Sequence, residues 1–163
     1  MVITSPFYVP GKWLPPVLKA VEESKMLLEF RVSGSTLPGT ATYPVYRTLR
    51  RNQSRLNRAI EFVQGIRNRR CARAFEFLCE KAHFLSRLAE ATGQTEAEAQ
   101  REIVSAKHYL SDNYLTVAGV VQYSVDCYPA CCTQIDALSV ECWRVITRYL
   151  KVSDVCYWHA SQN

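Results

Sequence analysis

Three histidines and seven cysteines are the side chains of this sequence whose types could do chemistry. His83, His108 and His159 lie far apart, and none has an acid or a nucleophile at the spacing that acid–base or nucleophilic work requires. The patterns that place a nucleophile, a zinc-activated water or a nucleotide phosphate (G-x-S-x-G, H-E-x-x-H, a Walker loop, G-x-G-x-x-G) do not occur. The histidines therefore read as structural or surface residues, and the chain as not an enzyme. Cys127, Cys131, Cys132, Cys142, Cys156 and His159 could ligate zinc, but structural zinc sites use paired short spacings. Only Cys127-x3-Cys131 qualifies, with no second close pair, so no metal is expected. Cys71 and Cys79 are eight residues apart, about 12 Å of helical rise, too far for a disulfide. Cys132 and Cys142 are excluded in the same way if one helix carries both. Cys71 and Cys79 read as buried, reduced thiols; spacing alone does not decide the state of Cys127, Cys131, Cys132, Cys142 and Cys156.

Arginine offers the other chemistry. From Arg47 to Arg73 the chain holds nine arginines, no lysine and one acid, Glu61, a local net charge of +8. The whole chain is only +5, so everything outside this stretch sums to −3. Such a concentration attracts a negatively charged partner, and guanidinium groups favour bidentate contacts to phosphate or carboxylate. Phe62 is the only aromatic between Arg47 and Arg73, which argues against a stacking platform for single-stranded nucleic acid. Val45, Leu49, Leu56, Ile60 and Val63 recur near helical spacing in the same stretch, so one side of a helix can pack while the arginines face water.

The elements that must position these groups are helices. No proline occurs between Val45 and Tyr128, and 48% of the 163 residues are hydrophobic, enough for one compact domain. Residues 1–16 hold four prolines and read as an extended arm. Pro16 opens a short amphipathic helix to about residue 32, and residues 33–42 form a loop. A first long helix starts near Pro44 and breaks around Gly65 or Asn57. A second carries Cys71, Phe75, Leu78, Ala82, Leu85 and Ala89 on one face and ends at Thr92-Gly93. Thr95 and Glu98 form a capping-box pattern that opens a third helix, with Ala99, Ile103, Ala106, Leu110 and Tyr114 inward. After Pro129 a last helix, roughly Thr133 to Lys151, carries Ile135, Leu138, Cys142, Val145, Ile146 and Tyr149 on its packing face. The expected fold is all-α, with an N-terminal arm and short helix at 1–42, a helical bundle at 43–125, and a Cys-rich C-terminal helix and tail at 126–163. The apolar run Leu115–Val121 is too short to span a bilayer. The N-terminal residues lack the pattern of a secretory or transit leader.

Val45-Tyr46-Arg47-Thr48-Leu49-Arg50-Arg51 resembles the opening of the LYR-motif proteins, small three-helix proteins of mitochondria. Tyr46 and Arg47 match the tyrosine and arginine of that motif, and Arg51 stands at its later arginine. RNRRCARAF, ending at Phe75, is similar to the family's basic second helix, and TEAEAQREIVSAKHYL, with Ala106, Lys107 and Leu110, to its capped third helix. The chain departs where Val45 replaces the motif's leucine, Leu49 stands one position early, Leu56 replaces a phenylalanine and the second helix is longer.

The resemblance implies a three-helix LYR-like bundle and an acidic partner, an acyl carrier protein. Its phosphopantetheine arm would meet Tyr46, Arg47, Arg51, Arg70, Arg73 and Lys107, its acyl chain entering the bundle; the protein would hold no cofactor of its own. It implies a non-catalytic accessory subunit or assembly adaptor of a respiratory complex, complex I first, on the matrix side of the mitochondrial inner membrane. The arm and the C-terminal tail, with Trp13, Trp143 and Trp158, would dock on neighbouring subunits. The rival class is an RNA-binding helical protein such as a viral coat protein or a silencing suppressor.

Overall fold

The computed structural model describes residues 2–5, 14–32, 39–121 and 138–155. The chain is mostly helical, in keeping with an all-α fold. It divides into two compact units, Met1–Asn57 and Arg58–Asn163, and the long helix α2 (Gly39–Val63) runs through the boundary.

In the first unit, helix α1 (Leu14–Glu23) carries Pro15 and Pro16 in its first turn, where a missing N–H costs nothing. The expected continuation to residue 32 does not form. The Ser24 hydroxyl accepts from the backbone N–H groups of Met26 and Leu27 at 3.4 and 3.1 Å and closes a turn in place of the next helical one. The chain then extends as strand β2 (Glu29–Val32). It pairs in parallel with β1 (Val2–Ser5), Val2 opposite Glu29 and Ser5 opposite Val32. A small core of Val21, Leu27 and Val45, with Leu18, Phe30 and Leu49 against it, fixes α1 and β2 on α2. Helix α2 begins at Gly39, five residues before the expected start, so Pro44 lies inside it. Its ring removes only the bond to the Thr40 carbonyl, one turn from the helix start.

In the second unit, α2 ends as foreseen near Gly65, which takes a φ of +107° that a residue with a Cβ rarely adopts. The Ile66 N–H returns to the Glu61 carbonyl at 2.9 Å across this turn. Helix α3 (Arg69–Leu78) is opened by Asn68, whose side chain accepts from the Cys71 N–H. The single second helix expected from the sequence is divided here: α3 stops, and α4 (Ala82–Thr92) starts after an extended Lys81. Packing explains the break, because no proline or glycine lies there. Phe75 and Phe84 are nine residues apart, on opposite faces of an unbroken helix at about 100° per residue. The turn brings their rings edge to face at 6.1 Å, with Phe62 stacked on Phe75 at 5.0 Å. The inward residues of α4 are accordingly Phe84, Leu88 and Ala89, while Ala82 is exposed and Leu85 half-buried.

Gly93, at a φ of +68°, ends α4. The Thr95–Glu98 capping box forms in full and opens α5 (Glu96–Asp112), whose Ala99, Ile103, Ala106 and Leu110 are buried as expected. Tyr114 is buried at the start of the short α6 (Tyr114–Val117). Helix α7 (Val140–Thr147) is capped by Ser139. Its expected packing face is not the buried one: Cys142, Val145, Ile146 and Tyr149 are exposed, Leu138 is half-buried, and Thr147 is the residue turned inward. Thr147 meets the Ser111 hydroxyl at 3.2 Å and Arg144 meets Asp112 at 3.3 Å, which orients α7 on α5. Ile135 lies outside the described residues. No described helix is long and apolar enough to cross a membrane.

Candidate functional site

From Tyr43 to Asn57 helix α2 carries no acid. Val45, Thr48, Asn52 and Leu56 are buried on one side. Stepping about 100° per residue puts Tyr43, Tyr46, Arg47, Arg50 and Arg51 on the opposite side. Tyr43 is 68% and Tyr46 58% exposed, and the three arginines are exposed with them. Two of the three have no internal work: Arg47 and Arg50 make no ion pair among the described residues.

Arg51 does have such work. Its Nη2 donates to the Ser24 carbonyl at 2.8 Å, Arg55 donates to the Lys25 carbonyl at 3.1 Å, and Asn52 donates to the Ser24 and Leu27 carbonyls at 3.1 and 2.9 Å. Three side chains from two successive turns of α2 thus satisfy carbonyls of the turn that follows α1. Asn52 is buried at a core position between Leu49 and Leu56. A lone asparagine in that phase was the sequence signal for this turn-holding role.

The remaining residues expected at the site lie in the second unit. Arg70 and Arg73 are exposed on α3 and, like Arg47, make no ion pair among the described residues. Lys107, on α5, is joined to Glu80 instead, and this partner holds the Glu80 carboxyl below the usual carboxylate range. Two other arginines of the dense stretch are half-buried and hold groups of the chain itself. Arg67 lies over the rings of Phe62 and Tyr109, 4.7 and 4.4 Å from their centroids, and donates to the Phe62 carbonyl. Arg69 donates to the Val155 carbonyl.

Glu76 was not singled out by its sequence context. Both its oxygens accept from the Val152 N–H, at 3.1 and 3.0 Å, and burial raises its pKa above the ordinary value. The Tyr114 hydroxyl donates to the Lys151 carbonyl at 3.0 Å, so the segment 151–155 is held by its backbone with Val152 buried.

Among the described residues, the two thiols of α3 and its C-cap are not activated. Burial and the Glu61 carboxylate at 3.4 Å push the Cys71 thiol up, and burial pushes Cys79 up to about 11; both disfavour the nucleophilic thiolate. Both are free, Cys71 buried and Cys79 partly so, and Cys142 is free and exposed. His83 is partly buried and its pKa is lowered by that burial and by Arg87; His108 is exposed. Among the described residues no group of side chains could hold a metal ion. Cys127, Cys131, Cys132, Cys156 and His159 lie outside them.

Comparison of the chain with protein-family models, with characterised proteins and with solved structures finds no match.

Proposed function

We propose that the protein is a non-catalytic helical adaptor that receives an acidic partner on the outer face of α2. The observation that carries this reading is the pair Arg47 and Arg50, exposed, without an ion pair among the described residues and flanked by exposed Tyr43 and Tyr46. Unspent guanidinium groups beside amphipathic rings suit a partner that presents phosphate or carboxylate groups. The resemblance of Tyr46, Arg47 and Arg51 to the LYR motif selects an acyl carrier protein as that partner. A mitochondrial respiratory complex, complex I first, is then the assembly.

The test is native mass spectrometry of the full chain mixed with an acylated acyl carrier protein. A complex is expected with the wild type and none with the Arg47→Glu, Arg50→Glu double variant, which spares Arg51 and its bond to Ser24. The exposed tyrosines also favour a second reading, RNA held by the same face. Absence of the carrier complex, together with RNA binding that weakens steeply with salt, would replace the first reading by the second.

A further inference from the structure

The turn at Lys151–Val155 is closed by its own atoms. The Asp154 N–H donates to the Lys151 carbonyl at 2.8 Å. The Asp154 carboxylate accepts from the Lys151 N–H at 3.1 Å and from the Ser153 hydroxyl at 3.3 Å. These bonds are local, so the turn needs no distant part of the molecule to specify its shape.

The second unit reads this turn almost entirely through its main chain. Glu76 accepts from the Val152 N–H, Tyr114 donates to the Lys151 carbonyl and Arg69 donates to the Val155 carbonyl. Glu76 and Arg69 are seven residues apart on α3, two turns and about 10.5 Å along one face. An acceptor at one end and a donor at the other fix the direction of the held segment, which runs from Glu76 toward Arg69. Among its side chains only Val152 is fully buried, while Lys151, Ser153 and Asp154 are exposed. Main-chain bonds for affinity and one apolar pocket for specificity are the means by which peptide-binding surfaces hold their ligands.

The piece of chain that carries the turn has little else to hold it. Two polar contacts, Thr147 with Ser111 and Arg144 with Asp112, orient α7 on α5, and Thr147 is the one residue of α7 that is buried. Val145 and Ile146 stay exposed. A segment with so little buried apolar surface belongs to the low-stability end of a fold and opens before the helices it rests on.

We infer that Arg69, Glu76 and Tyr114 form a peptide-binding socket, held shut by residues 151–155 of the same chain. Its ligand is a segment of another protein with valine or isoleucine at the start of a turn and an aspartate two residues later to close it. This is independent of what binds α2.

The test uses the full chain carrying Val152→Asp and a capped peptide of residues 150–155. The substitution puts a carboxylate into an apolar pocket beside Glu76 and so expels the tethered turn. In nuclear magnetic resonance spectra the peptide is expected to shift amide signals around Arg69, Glu76 and Tyr114 of the variant. A peptide with its own valine replaced by aspartate should shift none. The wild type should need about tenfold more peptide or higher, because the tethered turn competes at an effective concentration on the order of millimolar. Loss of helical circular dichroism in the variant would show that the turn is part of the core and overturn the proposal. So would a folded variant silent to the peptide, or a wild type that takes it up as readily as the variant. Hydrogen exchange of the wild type gives a check that needs no substitution. The Val152 amide should exchange about a hundredfold faster than that of Ala106 in α5, and equal protection of the two would sink the latch.

Discussion

The arginines of the outer α2 face and those just after the α2 C-terminus belong to one dense stretch of sequence, yet they do opposite things. Arg67 and Arg69 have turned inward: one lies between two aromatic rings, the other on a backbone carbonyl. Arg47 and Arg50 face water with no ion pair among the described residues. Arg51 stands between these extremes, exposed yet bonded to Ser24. Charge density alone therefore marks no site. The informative quantity is what each guanidinium already holds, because a group with an internal acceptor has less to offer a partner.

The largest effect that would sharpen this contrast is at Arg67. Replacing it by alanine removes two cation–π contacts and a bond to the Phe62 carbonyl at the end of α2. A loss of about 2–3 kcal/mol is expected, read as a lower midpoint in urea unfolding. A change below about 0.5 kcal/mol would mean that Arg67 is as peripheral as Arg47. Arg51→Ala comes next. It deletes one charge-assisted bond, but Asn52 still donates to the same Ser24 carbonyl at 3.1 Å. About 1 kcal/mol is expected, and Asn52→Ala made with it should cost more than the sum of the two single changes.

Most of the helical frame was legible in the sequence, since apolar spacing, the capping box and Gly65 each act within one turn of chain. The Thr95–Glu98 box and the stripe Ala99–Ile103–Ala106–Leu110 needed no distant partner to be read. The break between α3 and α4 was not legible, because it is imposed by the meeting of Phe75 and Phe84 with Phe62 and not by any local breaker. The stop of α1 depended on one hydroxyl, Ser24, and on acceptor-seeking side chains about 27 residues later. The α7 face was read in the wrong phase for a related reason. Its spacing is that of a packed helix, and spacing cannot say whether the chain itself supplies the cover. At the α2 site the exposure of Tyr46 and Arg47 followed from helical phase, whereas the commitments of Arg51 and Lys107 depended on Ser24 and Glu80, which no motif links to them.

A smaller effect concerns Glu76, the acid whose environment differs most from the open α2 face. Burial raises its folded pKa above the unfolded value, and the Val152 N–H, with Lys151 and Arg73, offsets only part of that; Asp154 adds to it. A carboxyl raised in the folded state contributes stability that is fully present below its unfolded pKa and is lost as pH rises through the folded one. Glu76→Gln keeps an acceptor for Val152 but cannot ionise. Relative to the wild type, the variant should lose that part of the decline in stability just above the ordinary carboxylate range. Urea midpoints across that interval measure this, and identical slopes in the two proteins would show that Glu76 titrates normally.

The smallest expected change in stability is the most telling. Arg47→Ala with Arg50→Ala removes two guanidinium groups that touch no acid among the described residues and lie three residues apart on one helix face. Like charges at that spacing repel by a few tenths of a kcal/mol, and alanine is the better helix former. Stability should therefore stay within about 0.5 kcal/mol of the wild type, or rise slightly. If the outer face of α2 is where an acidic partner docks, the same double variant should lose that partner almost entirely. Stability untouched and binding lost would separate these arginines from Arg67. A fall in stability comparable to that of Arg67→Ala would show that they too have internal work, and the contrast between the two groups of arginines would collapse.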